Sequence, residues 1–356
     1  MKLFYLILFL ISCSFLNAQI VFIPDANFKA ALINQGVDTN SDGEIQVSEA
    51  EAVINLNVSG WNIMSLEGIQ SFTSLEVLNC SNNILSNLDF SQNLNLNDLR
   101  CYSNQLNSLN ISQNSNLSFL WCSFNLLNNL DVSENIALET LYCHNNQLSV
   151  LDVKNNINLL DLICSNNQLS SLDVSFSTDL VFLICQRNQL NNLDVSFNTN
   201  LIFLDCNHNL LTNLFIDNGN NQNMTDMHSR DNPDLNCIQV DDETATYPVC
   251  DGFPLEGWCK DAWSSYSELC NLGLIDLEST NLTLYPNPVS DVLIISSPTN
   301  EILTIQIYDI GGKKISSFKK SYQKVSEIDI TNINQGIYFL KIFTMGGTLT
   351  KKFIKK

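Results

Sequence analysis

Between Asp38 and Glu49 the chain reads Asp38-Thr39-Asn40-Ser41-Asp42-Gly43-Glu44-Ile45-Gln46-Val47-Ser48-Glu49. Oxygen donors recur there at the offsets a hard cation needs. Asp38, Asn40 and Asp42 offer side-chain oxygens from positions 1, 3 and 5, Glu44 a backbone carbonyl from position 7, and Glu49 a bidentate carboxylate from position 12. Gly43 allows the sharp turn at position 6, and Ile45 at position 8 is expected to point into the core. A polar turn between two helices would explain the Asp, Asn and Gly residues but not Ile45 and Glu49 at those offsets. The chemistry implied is calcium coordination. Twelve cysteines are the other reactive set. Seven of them, Cys80, Cys101, Cys122, Cys143, Cys164, Cys185 and Cys206, fall at a constant step of 21 residues.

The acidic loop resembles a complete EF-hand calcium loop. Only one is present, so the resemblance implies a structural site of extracellular-grade affinity rather than a paired sensor. It lies in a stretch, Ile23 to Leu56, whose Phe28, Ala31 and Leu32 recur at helical spacing.

The cysteine step governs everything from Leu75 to Leu214. Asparagine follows each cysteine by three residues (Asn83, Asn104, Asn125, Asn146, Asn167, Asn188, Asn209), and leucine by five and eight. One unit, Leu96-x-x-Leu99-x-Cys101-x-x-Asn104-x-Leu106, resembles a leucine-rich repeat with cysteine in a leucine slot. The resemblance implies short parallel strands about 4.8 Å apart with Leu and Cys pointing inward. Too few residues remain for a return helix, so extended or 3₁₀ backs are expected. The ladder cysteines read as unbridged, small buried hydrophobes, and the asparagines as partners for backbone groups at each bend. Ile63-x-x-Leu66-Glu67-Gly68-Ile69 looks like the irregular first coil of internalin-type repeats.

Around this core the chain divides into a signal peptide (1–18), a small helical N-terminal cap with the calcium loop (19–56), the solenoid (57–217), a C-terminal cap (218–275) and a last domain (276–356). The leader combines Lys2, an apolar run from Leu3 to Leu16 and Ala18 as the cleavage site. A lipidated Cys13 is a weaker alternative. The C-terminal cap holds Cys237, Cys250, Cys259 and Cys270, which in an exported segment imply two disulfides. Three connectivities are open, with Cys237–Cys270 and Cys250–Cys259 favoured. Zinc is a weaker reading, because no Cys-x-x-Cys pair is present and His228 is the only histidine nearby.

The last domain has period-2 strands separated by turns such as Ile310-Gly311-Gly312-Lys313, which reads as a small β-sandwich. Its landmarks Leu284-Tyr285-Pro286-Asn287-Pro288, Tyr308-Asp309-Ile310-x-Gly312-Lys313, Gly336-Ile337-Tyr338 and Lys351-Lys352-Phe353-Ile354-Lys355-Lys356 resemble a type A C-terminal sorting domain of the type IX secretion system. That resemblance implies the secretion machinery as a partner, and a protein secreted or held at the outer-membrane surface of a Gram-negative bacterium. The fold class expected is mostly β, with no transmembrane segment in the mature chain.

Charge separates the parts. From Asp276 onward the balance is +3, while between Gln19 and Ile275 it is −24. So acidic a region excludes nucleic acid and anionic lipid as partners. On the strand side, the residues flanking the inward Leu and Cys form outward columns. Phe119, Trp121, Tyr142, Ile163, Phe182, Ile184 and Phe203 make an apolar and aromatic patch, rimmed by Arg100, Asp161 and Asp205. Strand propensity alone favours such residues, yet a patch of this extent marks a partner surface for a protein or glycan. A self-associating matrix protein is the alternative. The histidines His144, His208 and His228 are scattered without a nucleophile motif, so an enzyme is the least favoured reading.

Overall fold

The structure, a computed structural model, describes residues 19–250, 256–270, 282–296, 302–310, 312–323, 325–344 and 347–356. The expected leader with Cys13 and the expected junction at 275/276 lie outside them. The chain forms two compact units, one ending at Glu268 and one beginning at Leu269.

The first unit opens with helix α1, Ala26–Asn34, and the short α2, Val47–Glu51. Asp25 caps α1 by accepting the N–H groups of Asn27 and Phe28, and its other oxygen accepts those of Met64 and Ser65 at 2.7 and 3.0 Å. One carboxylate thus ends the helix and ties it to the first coil. Phe28, Ala31, Leu32 and Ile45 are fully buried in the core that the coils continue. The helices therefore cover the apolar end of the stack.

Each Leu-x-x-Leu-x-Cys unit then supplies a three-residue strand. The strands β1 (Asn55–Asn57), β2 (Val77–Asn79), β3 (Asp98–Arg100), β4 (Phe119–Trp121), β5 (Thr140–Tyr142), β6 (Asp161–Ile163) and β7 (Phe182–Ile184) are neighbours in one parallel sheet. Leu78, Leu99, Leu120, Leu141, Leu162, Leu183 and Leu204 pair in register and are fully buried. Alternation along the strand leaves the flanking residues facing outward.

The sheet does not stop at residue 217, where the period ends. After β9 (Phe203–Asp205) it continues through β11 (Asp226–His228) and β13 (Trp258–Cys259) to ten strands. The next coil is longer by two residues, with Ser229 in the cysteine slot, and Asn232 there donates to the carbonyls of Cys206 and Ser229. An insertion plus a Cys-to-Ser exchange hides this coil from a fixed-period reading. On the return side, β8 (Asn192–Asp194), β10 (Asn213–Phe215), β12 (Cys237–Gln239) and β14 (Ser265–Ser267) form a second parallel sheet. Among the described residues, 3₁₀ turns occur only at Ile69–Ser71 and Asn221–Asn223.

Asparagine ladders hold the bends. Asn146 donates to the carbonyls of Cys122 and Cys143 at 3.1 and 3.0 Å and accepts the Leu127 N–H at 3.0 Å. The same triad recurs at Asn104, Asn125, Asn167, Asn188 and Asn209. A second ladder, Asn93, Asn114, Asn135, Asn156 and Asn198, bonds carbonyls of the preceding coil on the return side. Both satisfy backbone groups that tight bends leave without ladder partners.

The seven ladder cysteines are free and buried. Burial pushes the thiols of Cys80 and Cys164 up to about 12, and those of the others well above the ordinary thiol value. Only the thiolate attacks a disulfide reagent, so the seven ladder thiols of the folded chain are expected to show no reaction with an aromatic disulfide at neutral pH. All seven should react within minutes in denaturant. Fast reaction in the folded state would contradict the buried ladder.

At the far end Cys250 and Cys259 form a disulfide with a Cα separation of 4.9 Å. Cys237 is disulfide-bonded as well. Tyr247 stacks on Trp258 at 4.0 Å, and the Trp258 indole donates to the Met224 carbonyl. Gly257 has φ +84°, and a Cβ there would lie 2.3 Å from the Val249 carbonyl oxygen. No other residue fits that approach.

The second unit has two antiparallel sheets. One contains β15 (Thr283–Tyr285), β16 (Val292–Ser296) and β19 (Val325–Asp329); the other is ordered β18 (Lys314–Gln323), β17 (Ile302–Asp309), β20 (Gly336–Thr344) and β21 (Gly347–Lys355). Leu293 and Ile295 of the first share a core with Ile305, Ile307, Leu340, Ile342 and Phe353 of the second. This is the sandwich that alternation predicts.

Candidate functional site

The strand side of the solenoid carries on one sheet the seven expected patch residues and the expected rim, Arg100, Asp161 and Asp205. Register sets two columns. Asp98, Phe119, Thr140, Asp161, Phe182 and Phe203 form one, and Arg100, Trp121, Tyr142, Ile163, Ile184 and Asp205 the other. Their coil-to-coil spacing of one strand lets aromatic rings touch.

At its centre Trp121 stacks on Tyr102 at 4.1 Å and meets Tyr142 edge-on at 5.8 Å, while Phe119 meets Tyr142 edge-on at 5.8 Å. The Arg100 guanidinium lies 4.9 Å from the Phe119 ring centre and is held by both oxygens of Asp98, at 3.0 and 2.8 Å. That hydrogen bonding raises the Arg100 pKa further. A second cluster joins Phe182 to Phe203 at 6.1 Å and Phe203 to His228 at 5.6 Å.

Two polar atoms on this face are buried without a hydrogen-bond partner among the described residues. They are the Trp121 Nε1 and the His228 Nε2. Burial raises the Asp161 pKa. At Asp205 burial outweighs the Asn207 N–H and raises it as well. Tyr142 is raised by burial and then by Asp161, and His144 is lowered by burial.

Tyr102, His144 and Phe124 belong to the same surface but were not among the expected binding residues. His144 accepts or donates at the buried Ser123 hydroxyl, 2.8 Å away, and packs edge-on against Phe124 at 5.2 Å. Phe124 has φ +54° and is half exposed. The equivalent position carries Asn82, Asn145 and Asn166 in other coils, the residue type that tolerates the left-handed region. An exposed phenylalanine in that conformation has a backbone cost without a core to offset it. The signal was available in sequence, since Phe interrupts a column of polar residues.

The acidic loop of residues 38–49 is arranged differently. Asp38 accepts the N–H groups of Asp42 and Gly43, Asn40 that of Asp42, and Asp42 that of Glu44. Gly43 sits at φ +85° and Ile45 is fully buried. Glu44 pairs with Lys29 at 2.6 Å, leaving its backbone carbonyl for the loop. Glu49 turns back to accept Thr39 N–H, Thr39 Oγ1 and Asn40 N–H on one oxygen and the Gln46 N–H on the other. Burial would raise its pKa, but these donors outweigh burial and hold it low. Among the described residues no three His, Cys, Asp or Glu side chains converge as a metal cage. The donor set and turn geometry suit calcium, with Asp38, Asn40 and Asp42 gathered and Glu49 committed to Thr39.

Residues 283–356 match the family model described as "Secretion system C-terminal sorting domain". Internalin C2 from Listeria monocytogenes is 20% identical, with 54% of this chain and 87% of that one covered, at a TM-score of 0.50. The protein is a leucine-rich-repeat solenoid with a secretion sorting domain. The functional domain of InlJ from Listeria monocytogenes, which includes a cysteine ladder, is 18% identical over 95% of this chain and 98% of that one, at a TM-score of 0.33. YopM from Yersinia enterocolitica is 25% identical over 50% and 38%, at 0.40. No curated protein matches. The sorting domain makes this repeat protein a secreted or cell-surface one, and no helix among the described residues is long and apolar enough to cross a membrane.

Proposed function

We propose that this is a non-catalytic adhesion or protein-binding protein of a Gram-negative outer surface, exported by the type IX machinery, whose strand face holds a protein or glycan ligand. The observation that carries the reading is the Trp121 platform. Its rings are ordered by Tyr102, Tyr142 and Phe119, and its indole N–H has no acceptor within the described residues. A buried donor left unpaired costs about 1–3 kcal/mol, which an acceptor on a ligand would recover. Trp and Tyr are also the residue types that dominate interface energetics. The test is whether Trp121→Ala with Tyr142→Ala removes binding to protein and glycan arrays.

The N-terminal loop is proposed to hold calcium through Asp38, Asn40, Asp42, the Glu44 carbonyl and Glu49, stiffening the helical cap. Glu49 must exchange its Thr39 donors for the cation. With a dissociation constant of about 0.3 mM, the extracellular class, about 10 mM calcium adds about 2 kcal/mol of stability. Thermal unfolding of the wild type should shift upward with calcium and return with chelator. Asp42→Asn keeps the acceptor for the Glu44 N–H and removes one charge, so its shift should be much smaller. A wild-type midpoint insensitive to calcium would refute the site.

A further inference from the structure

Of the two carboxylates that follow one another along the outer column, Asp98 and Asp161, the protein neutralises one. Asp98 is bridged through both oxygens by Arg100. Asp161 has no hydrogen bond or ion pair to its side chain among the described residues. Its neighbours across the sheet are Thr140 and Phe182, with Ile163 two residues along its own strand and Tyr142 and Ile184 on the diagonals. The side chain is half-buried, and this loss of solvent is what raises its pKa. An unpaired carboxylate in an apolar surface is poorly solvated in the free protein. Aromatic faces beside a carboxylate are the setting in which a lysine or arginine gains both an ion pair and a cation–π contact. The same region carries a balance of −24 between Gln19 and Ile275, which steers a cationic partner toward it.

We infer that the strand face takes a basic side chain, arginine or lysine, of a partner protein segment, seated over Asp161 between Tyr142 and Phe182. This rests on the proposed use of the strand face and names the chemistry of its ligand. Apolar residues of the segment lie on Ile163, Ile184 and Phe203.

The test uses the full chain and two fluorescent heptapeptides of leucine and serine, one with a central arginine and one with citrulline, its neutral isostere. The arginine peptide should bind at least about tenfold more tightly. Asp161→Asn should bring the ratio close to one. Asp173→Asn, an exposed acid on the return side, should leave the ratio intact, which separates a local pairing from attraction by net charge. Equal affinities, a ratio that survives Asp161→Asn, or no binding of either peptide would each overturn the inference. If Trp121→Ala weakens the citrulline peptide while arginine brings no gain, the strand-face reading stands and the basic ligand falls.

Discussion

Asn146→Ala is expected to destabilise the repeat unit by about 3 kcal/mol. The substitution orphans the buried Leu127 N–H and removes a donor from the carbonyls of Cys122 and Cys143. Leaving a buried group unpaired costs about 1–3 kcal/mol, and the groups freed here lie inside a tight bend that excludes other partners. Coils of a solenoid are stabilised by their neighbours, so damage in the middle weakens both interfaces at once. All four tryptophans, Trp61, Trp121, Trp258 and Trp263, fall in the repeat unit. Urea unfolding followed by tryptophan fluorescence therefore reports that unit without the sorting sandwich. A loss below about 0.5 kcal/mol would show that the ladder is dispensable.

Trp121→Ala is expected to weaken ligand binding by about 2–4 kcal/mol, roughly 30- to 1000-fold. The ring supplies the stack on Tyr102, the edge contact to Tyr142 and an unpaired indole donor. Removing it strips the platform of its central plate. Stability should change little, because the side chain is outward and the inward Leu120 and Cys122 that flank it remain fully buried. That separation distinguishes a binding residue from a packing one. A variant that binds normally, or one that fails to bind because it unfolds, would contradict the assignment of Trp121 to the ligand.

The fixed step of 21 residues makes the solenoid legible, since one register repeated seven times decides which residues face in and which face out. Alternation alone therefore places Phe119, Trp121, Tyr142, Ile163, Phe182, Ile184 and Phe203 on one surface. What the period cannot carry is a coil that breaks it. The strand Asp226–His228 is hidden because its coil is longer and Ser229 replaces cysteine. The extended backs are as expected, but which of them pair as strands is not legible, because the run Leu-Asp-Val-Ser is the same in a coil that pairs and in one that does not: Leu193 lies in a strand and Leu172 does not. Asn93, Asn114, Asn135 and Asn156 stood in plain period but blended with polar loop residues. At the acidic loop, spacing places Asp38, Asn40 and Asp42 around one turn, whereas the bonding of Glu49 to Thr39 depends on how the second helix is capped.

The central claim is that ligand binding resides on the strand face. The most direct measurement is binding of the full chain and of its Trp121→Ala/Tyr142→Ala variant to the same protein and glycan array, with folding of both verified by their unfolding curves. The account predicts specific binding by the wild type and its loss in a folded variant. Undiminished binding by the folded variant would contradict it and remove the strand face as the site.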